Sequence, residues 1–335
     1  MTPKNRIIPI FVPHLGCPND CVFCNQRKIS GSLFPASAGQ VTEALKSAKD
    51  ISEHGELAFY GGSFTAIPLS EQAALLEAAQ PFRRDGFLKS IRVSTRPDAV
   101  SEEKLRFLRA YGVETVELGA QSMDDRVLRL SGRGHTAEAT RWAARLVKES
   151  GMQLILQMMT GLPGSTPETD MDTARELISL RPDGVRIYPT VILRDTALET
   201  LWRKGEYRAH TVMDAVVTCT PIVRAFQEAG IPILRLGLNP TDELSGGEAV
   251  GGAYHPALGE LIYSRVFLEK AREAIRALPR IPREMELLTA SCDVSKMTGQ
   301  KRMNLLCLQM EFGIRELRVK SGAFPPGTVA IREIL

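Results

Sequence analysis

No run of about 18 consecutive apolar residues occurs in this chain, so no membrane-spanning helix is expected. No secretion signal is expected either. The N-terminal MTPKNRIIPIFV carries some positive charge, but its apolar stretch is too short. That points to a reducing, cytoplasmic compartment, where disulfides are a poor use of cysteine. Glycine and proline, 27 and 20 of 335 residues, are not in excess, which argues against long disordered segments. An excess of one charge sign is nearly missing as well. The formal net charge of +3 is too small to demand a nucleic-acid partner, and the basic excess lies late, 13 basic against 9 acidic side chains in residues 251–335. What remains is a globular composition, 44% hydrophobic and 24% charged, in a length that suits one large domain or two.

Cysteine is also scarce, six in all. Yet Cys17, Cys21 and Cys24 crowd into PHLGCPNDCVFCNQRKISG, directly after the apolar IIPIFV. A structural zinc site needs four ligands, often in paired C-x2-C spacings. Cys21 and Cys24 make one such pair, and the fourth ligand would come from His14, Cys219, Cys292 or Cys307. An iron–sulfur cluster is the other reading. Soft thiolates suit iron, and closely spaced cysteines on a loop hold cubane clusters. Three thiolates leave one iron of a four-iron cluster open to an outside ligand.

Short apolar runs recur at Ile7–Val12, Leu57–Tyr60, Ile91–Ser94, Thr115–Leu118, Leu154–Met158 and Val185–Tyr188. Bounded by glycine, proline or charge, they read as buried parallel strands. Helical patterns lie between them. Ala139, Trp142, Ala143, Leu146 and Val147 are spaced as one helix face. Ser101 before Glu102 and Glu103, and Thr166 before Pro167 and Glu168, read as helix starts. Alternating strands and helices predict a parallel α/β sheet, either a complete or partial barrel or an open doubly wound sheet. In each case the active site lies beyond the C-terminal ends of the strands, where the cysteine loop falls.

The other strand ends carry candidate site residues. After the second strand come Gly61, Gly62 and Ser63, where two glycines admit close approach of a ligand to the backbone, or simply make a tight turn. After the third come Ser94, Thr95 and Arg96. The hydroxyls suit a ribose, and Arg96 suits either a carboxylate or a salt bridge to Asp98. Gln121 follows the fourth strand, placed for a nucleoside or for backbone satisfaction. Gln157 and Gly161 close the fifth. Arg186 and Tyr188 lie on the sixth, and Arg194 follows it.

The spacing C-x3-C-x2-C, with Phe23 before the last cysteine, resembles the cluster motif of radical S-adenosylmethionine (SAM) enzymes. FYGGSFTAI, VSTRPD, VELGAQS, GRGHT, QMMTGLPG and RIYPTVILRDTALETLW also resemble the radical SAM domain of Elongator's catalytic subunit, which modifies wobble uridine in tRNA. The similarity runs from about residue 7 to about residue 207. It implies a partial (β/α)6 TIM-like barrel with Cys17, Cys21 and Cys24 on a [4Fe-4S] cluster. It also implies SAM bound by Phe23, Gly61, Gly62, Ser63, Thr95, Arg96, Gln121, Gln157 and Gly161. The glycine pair would meet the methionine amino group. One electron from a flavodoxin or ferredoxin would cleave SAM to methionine and a 5′-deoxyadenosyl radical, which abstracts hydrogen from substrate. Arg186, Arg194 and Tyr254 are the expected substrate contacts, and Tyr188 and His255 the expected catalytic residues. Elongator members space the first two cysteines much further apart and carry an acetyltransferase domain. About 100 residues after Gly237 are too few for that domain, and no glycine-rich pyrophosphate loop opens a helix there. The expectation is therefore a stand-alone bacterial relative without acetyl-CoA. Its substrate would be a nucleoside or tRNA, with a small metabolite or cofactor precursor as one alternative and a non-catalytic zinc-binding adaptor as the other.

The expected boundary divides a barrel, residues 1–235, from an extension, residues 236–335, that closes the barrel mouth. Beyond Pro282 the sequence reads as a small α/β unit, with a helix over Gln300–Phe312 and strands at Glu316–Lys320 and Thr328–Ile331. Lys301, Arg302, Arg315, Arg318 and Lys320 form either a phosphate-binding face or an ordinary solvated one. Cys219, Cys292 and Cys307 are expected to be inert thiols.

Overall fold

A computed structural model describes residues 6–12, 17, 21–25, 36–240 and 244–334. His14, the nearest candidate for a fourth zinc ligand, lies outside the described residues. Six of the strands follow the apolar runs: β1 (Arg6–Val12), β2 (Gly55–Gly61), β3 (Leu88–Thr95), β4 (Val113–Gln121), β5 (Gln153–Thr160) and β6 (Gly184–Pro189). β7 (Val191–Leu193) is short and leaves the sheet. β8 (Ile233–Leu236) joins it as a seventh strand, so the sheet order is β1-β2-β3-β4-β5-β6-β8. Every pairing in it is parallel. The sheet curls into an open partial barrel of seven strands, one more than expected. The run Ile231–Leu236 that carries β8 is short, and nothing in it shows its place beside β6.

Parallel strands are covered on both faces, which explains the near-continuous burial of Val116, Leu118, Leu154, Leu156, Val185 and Ile187. Helices packed outside the sheet supply the cover, and their ends are fixed by side chains. Ser101 accepts a hydrogen bond from the Lys104 amide, and Thr166 and Thr169 make a reciprocal capping box. The helix Ala137–Glu149 buries Ala143, Leu146 and Val147 of the face its spacing suggested, but not Trp142. Thr140, Ala143, Ala144 and Val147 are buried, whereas Trp142 is 49% exposed. The Arg145 guanidinium lies 4.3 Å from the Trp142 ring centroid, so the large ring finds a cation on the surface in place of the core.

Beyond β8, β9 (Ala249–Gly252) pairs antiparallel with β7 at the barrel's C-terminal end. The helix Leu258–Arg276 belongs to two cores. Leu258, Ile262 and Val266 pack in the large one, and Phe267, Leu268, Ala271 and Ile275 in a smaller one. The smaller core is covered by a second sheet of β10 (Glu284–Ala290), β11 (Glu316–Gly322) and β12 (Ala330–Glu333), ordered β11-β10-β12. The expected helix over 300–312 is regular only from Met303. Lys301 and Arg302 adopt left-handed φ of 48° and 62°. The last strand starts two residues later than expected, at Ala330.

The inward face of the helix Ala137–Glu149 can be tested by truncation. Leu146→Ala should cost about 2–5 kcal/mol of unfolding free energy, and Trp142→Ala less than about 1 kcal/mol. Urea denaturation followed by circular dichroism reads both. The reverse order would mean that Trp142 faces the core.

Candidate active site

Parallel strands bring all their C-terminal ends to one rim. There a cavity of about 370 Å³ opens among the first six strand ends. Cys17, Cys21 and Cys24 line it together with Phe23, Gly61, Gly62, Thr95, Arg96, Gln121, Gln157, Arg186 and Tyr188. Ser63, Gly161, Arg194, Tyr254 and His255, also expected at the site, are not among its lining residues.

The cysteine loop is held at both sides by backbone. The Val22 amide donates to the Ser131 carbonyl at 3.1 Å, and the Leu198 amide donates to the Val22 carbonyl at 2.7 Å. The Cys24 amide closes a turn on the Cys21 carbonyl at 2.9 Å. Burial pushes the Cys17 thiol up, helped by neighbouring Cys21 and opposed by Arg96, Arg133 and the Ser63 amide. Arg133 Nη1 donates to Cys21 Sγ at 3.3 Å, and its Nη2 donates to the Gly119 carbonyl at 2.7 Å. Arg96 grips Asp98 through two bonds of 2.9 and 2.8 Å and donates to the Arg133 carbonyl at 2.6 Å. Burial opposes ionisation of Asp98, but this fork outweighs it and holds the carboxyl below its usual range. So the Arg96–Asp98 salt bridge exists, and it leaves Arg96 Nη1 buried without a hydrogen-bond partner.

The hydroxyls at the third strand end are already engaged. Thr95 Oγ1 lies 2.9 Å from Ser63 Oγ and 2.6 Å from Thr65 Oγ1, and the Arg96 amide donates to Ser63 Oγ at 3.2 Å. Ser63 thus sits behind the wall, bracing it. Gly61 takes φ of 98°, and the Gly62 amide bonds the Val12 carbonyl at 2.7 Å, a turn that a side chain would strain. Gln121, at φ of 65°, closes a bulged strand end, and its Oε1 accepts from Gln157 Nε2 at 3.2 Å. Gly161 is used by the fold itself. Its amide donates to Asp170 at 2.9 Å, its carbonyl accepts from the Tyr207 hydroxyl at 2.6 Å, and His210 fills the space a Cβ would need. His255 accepts the Ala257 amide on Nδ1 at 3.0 Å, in the turn that precedes the helix Leu258–Arg276. Arg194 is tied to the Gly247 carbonyl at 3.1 Å.

Of the charged residues that pair inside the barrel, the sequence singled out only Arg186. Glu117 on β4 is 3% exposed and accepts from Arg92 on β3 at 2.7 Å. It also accepts from Arg186 on β6 at 3.0 Å through each oxygen. Arg92 also bonds Glu56 on β2 at 2.6 Å, and Arg186 donates to the Tyr60 hydroxyl at 2.9 Å. Burial, then Glu117, pushes the Tyr60 hydroxyl up to about 12. Tyr188 is likewise raised, first by burial, with Arg186 opposing. A charge within an otherwise apolar strand needs a partner, and that is the signal by which this chain of four was findable. Arg133 stood in the quoted GRGHT segment without a role. On the C-terminal sheet, Arg315, Arg318 and Lys320 pair with Glu284, Glu316 and Glu286, so three of the five basic residues of that face are neutralised.

Among the described residues, no three His, Cys, Asp or Glu side chains are grouped to hold one metal ion. The cysteines instead surround a space. Three soft thiols, an unpartnered buried guanidinium nitrogen and a glycine turn fit a cluster with one thiolate per iron and an anionic ligand beside it.

Residues 11–177 match the family model of the radical SAM superfamily, and residues 182–267 match that of the Radical_SAM C-terminal domain. The chain belongs to the radical SAM superfamily. It is 31% identical over 181 residues to the tRNA uridine(34) acetyltransferase of Methanocaldococcus infernus, covering 53% of this chain and 33% of the relative. With that of Methanocaldococcus jannaschii it shares 28% over 235 residues, 64% of this chain and 42% of the relative. Mouse Elongator complex protein 3 is 30% identical over 194 residues, 52% of this chain and 36% of the relative. These matches span only about a third to two-fifths of the relatives' length. In fold, the chain is similar to the structure of M. infernus Elp3 with an N-terminal deletion, at a TM-score of 0.63 and 23% identity, covering 80% of this chain and 63% of that one. It also resembles coproporphyrinogen III oxidase (HemN) from Escherichia coli, at 0.51 and 18%, covering 68% and 54%. Among the described residues no helix is long and apolar enough to cross a membrane.

Two measurements probe this architecture. Glu117→Gln takes from Arg186 the only carboxylate it pairs with among the described residues and leaves Arg92 with Glu56, and should cost about 3–5 kcal/mol, whereas Arg186→Met leaves Glu117 paired with Arg92 and should cost less. Equal costs in urea denaturation would show that the two arginines are not alternatives for one carboxylate. Asp170 supplies a pH test. Burial pushes its carboxyl up to about 7, with the Gly161 amide and Ser165 hydroxyl opposing. A raised carboxyl favours the folded state at low pH, and that advantage is lost as pH rises from about 4 to about 7. Asp170→Asn should therefore gain at least ~1.4 kcal/mol on wild type between pH 4 and pH 7.5. A constant difference would mean an ordinary carboxyl.

Proposed function

We propose that this chain is a radical SAM enzyme that abstracts hydrogen from a nucleoside in RNA, with tRNA as the macromolecular substrate. The observation that carries the reading is the meeting of Cys17, Cys21 and Cys24 with the Gly61–Gly62 turn and the unpartnered Arg96 Nη1 in one cavity. When bound, a [4Fe-4S] cluster and SAM supply one-electron cleavage of a carbon–sulfur bond and a radical that takes hydrogen from substrate.

The chain's own residues bind and shield. The three cysteines would hold the cluster. Arg96, kept in place by Asp98, would donate Nη1 to the SAM carboxylate, and the exposed glycine backbone leaves room for its amino group. Gln121 and Gln157 present an amide pair to the nucleoside half. Leu238, Asn239 and Leu244, which follow the expected boundary at residue 236, form part of the cavity wall and help exclude water. A reducing, cytoplasmic setting with a flavodoxin or ferredoxin as electron donor accompanies this reading.

Two features support a nucleobase. The relatives named above are called tRNA uridine(34) acetyltransferases. Within the cavity floor, the two carboxylates of Glu56 and Glu117 balance the two guanidiniums of Arg92 and Arg186. Beside these balanced charges, the rings of Phe11, Tyr60 and Tyr188 and the Asn239 amide face the space. Such a floor suits an uncharged polar ring better than an anionic metabolite. One observation favours a small-molecule substrate instead, the neutralisation of much of the C-terminal basic face. A zinc adaptor has less support, because among the described residues no group is ready to grip a single ion.

Anaerobically reconstituted protein given dithionite and SAM should release 5′-deoxyadenosine, and Cys21→Ala should release none. Bulk tRNA should raise the yield above that with a tRNA-free metabolite extract. Colourless protein that binds one zinc and forms no 5′-deoxyadenosine would overturn the radical reading. Stimulation by the metabolite extract alone would move the substrate to a small molecule.

A further inference from the structure

Arg133 is 7% exposed, and its guanidinium is fixed from both ends. One nitrogen donates to Cys21 Sγ at 3.3 Å and another to the Gly119 carbonyl at 2.7 Å. The residue's own carbonyl is held by Arg96 at 2.6 Å, and Arg96 is held by Asp98. Gly119 belongs to this arrangement, since a Cβ there would lie 3.4 Å from Arg133 Nη2 and 2.9 Å from Gln121 Nε2. The Cys21 thiol therefore faces an always-charged donor held at a second point by the Gly119 carbonyl.

We infer that Arg133 is a potential-setting residue, whose N–H···S bond to Cys21 makes the bound cluster easier to reduce. The inference rests on the cluster reading above. Taking up one electron makes a thiolate-ligated cluster more negative. A buried cation and a hydrogen bond to a ligand sulfur stabilise the reduced form more than the oxidised form. The low local dielectric strengthens the effect, and the fixed geometry avoids reorganisation. The electron comes from the external donor, so Arg133 changes the driving force and no bond to it forms or breaks. Lysine keeps the charge but loses the fork that reaches Cys21 and Gly119 together.

The test is an EPR-monitored redox titration of reconstituted wild type, Arg133→Lys and Arg133→Met, after iron and sulfide have been counted for each. The expected result is equal loading, with the midpoint more negative in Arg133→Met and intermediate in Arg133→Lys. Equal midpoints in fully loaded proteins would overturn the inference while leaving the cluster reading intact. Wild type that takes up no four-iron cluster would overturn the reading beneath it. If the variants do not load, wild type grown with isotope-labelled arginine decides by pulsed EPR. A guanidinium nitrogen coupled to the reduced cluster supports the inference, and no coupling overturns it.

Discussion

A carboxylate only 3% exposed sits inside the barrel, and much of the interior is arranged to satisfy it. Glu117 is bound by guanidiniums from β3 and β6, and those in turn reach Glu56 and Tyr60 on β2. Four strands that share no turn are thereby tied through their inner faces. The arrangement is stable only when complete, because an unmatched charge in that position costs several kcal/mol. It also sets the character of the cavity floor, where two carboxylates balance two guanidiniums.

Above this floor the rim is organised by backbone more than by side chains. A parallel sheet delivers every strand's C-terminal end to the same side. The glycine turn after β2, the bulge at the end of β4 and the left-handed Gln121 are the places where the backbone departs from regular geometry, and all border the cavity. The cysteine loop has little regular structure of its own among its described residues and takes its position from Ser131 and Leu198. The relay from Asp98 through Arg96 to Arg133 then carries positive charge to the sulfur side of the space.

The strands were legible because a sheet covered on both faces writes itself as apolar runs, and β1 to β6 all carry one. The cysteines, the glycine pair, Arg96, Gln121, Gln157 and Tyr188 were legible because chemistry-bearing residues at strand ends of an α/β fold converge. The interior charges were visible one by one, but their pairing depends on which strands lie side by side and in what register. β8 was missed as a barrel strand for the same reason. His255 and Arg194, residues with catalytic potential, are hydrogen-bonded to the Ala257 amide ahead of a helix and to the Gly247 carbonyl. Trp142 shows that helical spacing alone does not say which stripe faces in when small residues, such as Ala143 and Ala144, build the contact.

The helix Leu258–Arg276 gives one wall to each hydrophobic core, its first half to the barrel and its second to the small sheet. At 1.5 Å per residue, its 19 residues make a rod of about 28 Å. The small sheet cannot come away without stripping Phe267 and Ile275, and the barrel cannot loosen around Ile262 without tilting the same rod. The two halves of the chain therefore share a mechanical axle. A push on the outer sheet, by any partner that docks there, is transmitted along one element to the side of the barrel on which Leu236 and Leu258 meet.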